Sequence, residues 1–189
     1  MSRPSTVPIA LVDTAGPVRL GPADGGLDTA AVERLIATGA EVDTDASARA
    51  EWSRDWWPLG LIWAAAGSVP ARVGAVVRPR DTAEVSAVLR VCNELLIPVT
   101  PAAGRSGVCG GSIPVAGGVV LDLCALSGIH AVDDTSLLAT VGAGTFGDDL
   151  EAALRRQHGM TLGHWPQSIE LSTVGCLLYT SDAADDLTR

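Results

Sequence analysis

Val99-Thr100-Pro101-Ala102-Ala103-Gly104-Arg105-Ser106-Gly107-Val108-Cys109-Gly110-Gly111 follows an apolar segment and is built almost wholly of small residues. A loop this bare lets the backbone itself approach a ligand. Without side chains in the way, successive N–H groups converge on an anion, and glycine reaches the positive φ values that such a concave nest requires. Pyrophosphate is the usual guest. A glycine loop taken alone reads more readily as a plain surface turn, so the chain around it must decide between the two.

Upstream of the loop, residues 97–100 read as the strand that delivers it. Before that strand comes Asp81-Thr82-Ala83-Glu84, a capping box in which the N-cap side chain and the Glu three residues on satisfy each other's free N–H groups. Val85, Val88, Leu89 and Cys92 then fall at i, i+3, i+4 and i+7, one face of a helix ending near Asn93. Residues 73–77 form a short apolar run closed by Arg78-Pro79, the profile of a buried strand. Downstream, residues 118–123 read as a third strand. Residues 129–132 and 137–141 flank Asp133-Asp134-Thr135-Ser136 as a hairpin. Phe146, Leu150, Ala153 and Leu154 mark a second amphipathic helix, closed by His158-Gly159. This order of elements predicts an α+β fold.

The N-terminal part is less regular. Residues 1–26 hold Pro4, Pro8, Pro17 and Pro22 without a persistent period and read as a loosely packed lead-in. Asp28 caps a short helix running to about Ala37, and residues 45–57 read as another, ended by Pro58. Trp52, Trp56 and Trp57 stand beside Arg54 and Asp55. The expectation is an aromatic anchor against the next subdomain rather than a ligand lining.

Composition narrows the function. With 47% hydrophobic and 19% charged residues the chain is globular, and its net charge of −9 without a basic run argues against nucleic acid and anionic membranes. The longest apolar stretch, residues 59–66, is far too short for a transmembrane segment. Four Cys without a C-x-x-C pair imply reduced thiols and a cytoplasmic protein, and no signal peptide is evident.

A second unusual stretch is Gly163-His164-Trp165-Pro166-Gln167-Ser168-Ile169-Glu170-Leu171-Ser172-Thr173-Val174-Gly175, whose hydroxyls suit a loop that hydrogen-bonds a polar ligand along its length. The two loops together resemble the FAD-binding, PCMH-type domain of the vanillyl-alcohol-oxidase-like flavoproteins. The likeness is greatest to alkylglycerone-phosphate synthases and D-lactate/glycolate dehydrogenase-like enzymes, and it runs from about Val73 to Gly175. The resemblance implies a fold of two α/β subdomains. It places Pro101, Ala102, Ala103, Gly104, Arg105, Ser106 and Gly107 where the family wraps the FAD pyrophosphate. It also places His164, Gln167, Ser168, Ile169, Glu170, Leu171, Ser172 and Thr173 in the second flavin-contacting segment. His164 is the one His expected near the flavin; His130 and His158 read as structural or exposed.

The chain departs from the family at some points. The first loop carries Arg105 and no His, so the implied FAD is non-covalent. Gln167 stands where the synthase-like branch often has Asp. The segment from Cys176 to Asp186 resembles the in-frame translation of a transposase-type sequencing adapter. The expected organisation is therefore an N-terminal extension over residues 1–72, an incomplete, C-terminally truncated FAD-binding domain over 73–175, and a foreign tail over 176–189.

The implied function is the FAD-binding portion of an oxidoreductase that takes a hydride from a small-molecule substrate, a 2-hydroxy acid or related alcohol. Such a fragment is expected to be inactive alone, and its sequence nominates no catalytic base. An FAD-dependent alkylglycerone-phosphate synthase is the alternative, and a non-catalytic α+β binding module the second. A homodimer is compatible with the resemblance.

Overall fold

Asp28 begins α1 (Thr29–Ile36) by accepting the Ala31 amide at 2.7 Å, as its position before an apolar-periodic run predicts. The structure, a computed structural model, describes residues 16–180. After α1 come β1 (Glu41–Asp43), α2 (Ala46–Glu51) and α3 (Pro58–Ala65). The parallel unit β2 (Ala75–Arg78), α4 (Thr82–Leu95) and β3 (Val99–Ala102) leads into the glycine loop, and β4 (Val119–Asp122) follows it. The hairpin β5 (Ile129–Asp133) and β6 (Leu138–Val141), then α5 (Gly147–His158) and α6 (Val174–Thr180), complete the described chain.

Four strands form one sheet in the order β1-β2-β4-β3, with β2, β4 and β3 parallel and β1 antiparallel to β2. Both faces of β2 and β4 are buried, as parallel strands usually are. On one face Leu35, Ala75, Val77, Val88, Cys92, Val119 and Leu121 form a core beneath α1 and α4. On the other, Trp52 packs with Val73, Val76, Ala102 and Val120. The expected aromatic anchor is therefore Trp52, and residues before 73 supply a strand and several core residues. Trp57 packs edge-on to Trp63, centroids 5.4 Å apart. The α+β expectation holds: a mixed four-stranded sheet stands beside a separate two-stranded antiparallel one.

Three local expectations need correction. The helix expected over residues 45–57 stops at Glu51, and Pro58 starts α3 instead of ending a helix. Asp55 accepts the Trp57 amide at 2.9 Å, a local turn that breaks the helical path. Proline then sits at the first position of α3, where no N–H is needed. The capping box closes one residue early, because Glu84 accepts the amide of Arg80 at 2.8 Å and pairs with its guanidinium. Leu89 lies at the edge of the buried stripe of α4, which centres on Val88 and Cys92, and is 43% exposed.

Parallel neighbours need a long crossover, and between β3 and β4 the glycine-rich residues 103–118 provide it without a helix. Its return is tight. Gly118 has φ +72°, and a Cβ there would lie 2.1 Å from the Pro98 carbonyl oxygen. The α6 helix begins inside the second motif and crosses the boundary expected at Gly175, with Leu177 buried beside Gly147. Most of the expected lead-in (residues 1–15) and the end of the expected tail (181–189) lie outside the described residues. Among the described residues no helix is long and apolar enough to cross a membrane.

Candidate cofactor site

The glycine loop leaves the carboxyl end of β3, the side on which parallel α/β sheets place their ligands. Pro101 and Ala102 still belong to the strand, and Ala102 is a core residue. The loop proper begins at Ala103. Arg105 has φ +53°, whereas Gly104 and Ser106 lie outside the positive-φ region. One left-handed residue between ordinary ones is the backbone pattern of an anion nest. Among the described residues, the amides of Gly104, Ser106 and Gly107 donate to no protein acceptor.

The second loop is docked on the first. Ser106 and Ser172 share a hydroxyl hydrogen bond of 2.7 Å, and Ser172 shares another of 2.7 Å with Ser168. Ser106 also lies 3.6 Å from the Cys176 Sγ. Gly104 abuts the Leu171 carbonyl so closely that a Cβ would lie 2.0 Å from its oxygen. The backbone holds the far side of this loop: the Gly147 amide donates to the Ser172 carbonyl, and the Val174 amide to that of Thr145. Thr173 is buried and bridges to Phe146, and Ile169 is buried beside Gly147. Among the expected site residues, then, Gly104, Ser106, Ser168, Leu171 and Ser172 come together. Ile169 and Thr173 are buried, and His164, Gln167 and Glu170 are exposed.

Arg105 contributes its backbone to the loop and turns its side chain toward Glu51. Its side chain is only 2% exposed, and Nη2 donates to Glu51 Oε1 at 3.0 Å. Burial pushes its guanidinium pKa down, against the opposing pull of Glu51. Nearby, Asp122 at the end of β4 accepts the Cys124 amide at 3.0 Å and lies 3.4 Å from Arg78 Nε. Burial raises the Asp122 carboxyl despite those partners, and burial beside Asp122 raises the Cys124 thiol.

Glu151 was invisible to sequence reasoning, since a Glu on an amphipathic helix reads as surface. Its side chain is 2% exposed. It accepts the Thr161 hydroxyl at 2.6 Å and the Leu162 amide at 2.9 Å, and it pairs with Arg155, so it pins the entry to the second loop. These donors, the Thr161 hydroxyl foremost, hold its carboxyl below the ordinary range. A lowered folded-state pKa stabilises the fold above the unfolded value, and that stability is lost as pH falls through the folded value. Glu151→Gln is therefore expected to cost about 1–3 kcal/mol at neutral pH. The gap from the unmodified protein should close as pH drops through the carboxylate range, as read by urea unfolding across pH. A gap that does not change with pH counts against this role.

A separate cleft of about 630 Å³ is lined by Cys124, Ser127, Ile129, Phe146, Asp149 and Gln157, among others, and by no residue of the two loops.

The mixed sheet thus carries, at the carboxyl edge of its parallel strands, a loop of undonated amides docked by a hydroxyl-bearing second loop, an arrangement suited to an anionic ligand. The profile of the FAD binding domain matches residues 73–184, more than half of the chain, and the chain belongs to that family. It is 35% identical over 101 residues to glycolate oxidase subunit GlcD of Bacillus subtilis (strain 168), covering 53% of this chain and 21% of that protein. A solved alkyldihydroxyacetonephosphate synthase superposes with a TM-score of 0.76 at 25% identity, over 91% of this chain and 33% of that one. Substrate-bound p-cresol methylhydroxylase shares the fold with a TM-score of 0.67 at 18% identity, over 84% of this chain and 30% of that one. The chain thus spans about a fifth of the length of the curated relative.

Proposed function

We propose that this chain is the FAD-binding part of a longer flavin-dependent oxidoreductase acting on a 2-hydroxy acid or related alcohol. The observation that carries the reading is the row of undonated amides at Gly104, Ser106 and Gly107, an all-donor set that fits the oxygens of a pyrophosphate. Likeness to a glycolate oxidase subunit supports the substrate class. When bound, FAD supplies the hydride acceptor, and the protein binds and orients it. The loop amides would hold the pyrophosphate, while the Ser106–Ser172–Ser168 hydroxyl chain would keep the two loops in register. Catalytic groups are proposed to lie in the part of the relatives' length that this chain does not span.

FAD is proposed to be held without a covalent bond, since residues 101–107 carry neither His nor Cys. Acid precipitation of the flavin-loaded protein is expected to leave FAD in the supernatant; a yellow pellet overturns this. The unbridged thiols of Cys92, Cys109 and Cys124 support a reducing, cytoplasmic setting.

The likeness to an alkyldihydroxyacetonephosphate synthase favours a second reading, an FAD-dependent alkyl transferase. Anaerobic bleaching of the whole protein's flavin by glycolate or another 2-hydroxy acid supports the first reading. Ether formation from an acylated dihydroxyacetone phosphate and a fatty alcohol, without net bleaching, supports the second. A protein with no affinity for FAD is neither, and the non-catalytic binding module then stands.

A further inference from the structure

The glycine loop adopts a conformation that its own residues do not favour. Arg105 is an L residue in the left-handed region, which persists where surroundings over-determine it. Those surroundings come from residues 51–57, which precede the region matched by the family profile. Arg105 Nη1 donates to the Glu51 carbonyl and, at 3.2 Å, to that of Arg54. Nη2 donates to Glu51 Oε1, and the guanidinium lies over the Trp52 ring at 4.2 Å. The other Glu51 oxygen pairs with the buried Arg54. Two residues further along the loop, the Trp56 amide donates to the Gly107 carbonyl at 3.0 Å. Asp55 Oδ2, buried and without a hydrogen-bond partner, lies 3.6 Å from where a Gly107 Cβ would stand.

These contacts hold the loop within its amide row, at Arg105, and at its end, at Gly107. The side chain of Arg105 is turned to the clasp, the carbonyl of Gly107 is tied to Trp56, and the amides of Gly104, Ser106 and Gly107 are left undonated. We infer that residues 51–57 are a positioning clasp that pre-forms the pyrophosphate cradle, with the Glu51–Arg105 fork and Trp52 as its lock. The inference rests on the reading of that loop as the FAD pyrophosphate site. Arg105 acts through the backbone it holds and not by touching the ligand. A pre-formed cradle binds more tightly because the ordering of the loop is done before the ligand arrives.

Arg105→Lys tests this, because it keeps the charge and removes the fork that reaches Glu51 and Arg54 at once. Amide exchange is measured without ligand at Gly104, Ser106 and Gly107 and, for comparison, at Val119, Val120 and Leu121 of β4. FAD is then titrated into the 189-residue chain and the variant, followed through the same loop amides, where both are folded. The loop amides are expected to exchange faster, on the order of tenfold beyond any change in β4, and FAD affinity to fall on the order of tenfold. Equal acceleration in loop and strand overturns the clasp, since a merely stabilising arginine would act on both. Unchanged FAD affinity also overturns it. If Arg105→Lys does not fold, Trp52→Phe, which narrows the ring beneath the guanidinium, is read by the same comparison with a smaller expected shift. Loop amides of the unmodified chain that ignore FAD overturn the pyrophosphate reading itself, and the ligand-free exchange shows separately whether the clasp holds the loop.

Discussion

Replacing Gly104 with alanine is expected to unseat the second loop from the first and to cost about 3 kcal/mol of stability. The added Cβ would meet the Leu171 carbonyl oxygen at 2.0 Å, its carbon at 3.0 Å and the Ser172 Cα at 3.4 Å. All three are backbone atoms, so no rotamer change relieves the clash. One of the two loops must move, and the Ser106–Ser172 hydroxyl contact goes with it. The φ of Gly104 lies outside the positive range, so the requirement for glycine here is one of space between two segments. Urea unfolding reads the cost, and FAD titration should show weakened binding. An unchanged midpoint would mean that the loops are not packed this way.

Glu51→Gln is expected to be about as damaging, again about 3 kcal/mol. One Glu51 oxygen serves Arg105 and the other Arg54, and the side chains of both arginines are at most 2% exposed. An amide in place of the carboxylate leaves two buried guanidiniums without their shared anion and turns an NH₂ group toward one of them. Because the Glu51 side chain is itself 25% exposed, water offsets part of the loss, which keeps the figure at the low end for broken buried pairs. A midpoint shift of less than a third of that size in urea would show that the two arginines are satisfied by other groups.

Arg105 shows how far reading the residues goes. Its place in a bare loop after a strand is compatible with an anion nest or a plain turn, and the two loops in their order identify the family. Features set by near neighbours follow from residue type and spacing alone. Among these are the Asp28 and Asp81 caps, the hydrophobic periods of α4 and α5, the hairpin around Asp133 and the left-handed Gly159 that closes α5. Each depends on contacts within a few residues, where side-chain type and spacing carry the information.

Other features depend on partners far along the chain and emerge only when folding brings those partners together. Glu51 and Arg105 are 54 residues apart, and nothing local marks either as the other's counter-ion. The Glu151 contacts with Thr161 and Leu162 span the turn after α5, so a carboxylate that reads as surface is buried instead. Residues 53–57 leave the helical path because Asp55 turns onto the Trp57 amide and the Trp56 amide onto Gly107, contacts that outweigh a modest helix propensity. The sequence therefore identifies a loop able to hold a pyrophosphate. Which distant residues hold that loop in shape is decided by burial, where a charge persists only if the fold brings it a partner.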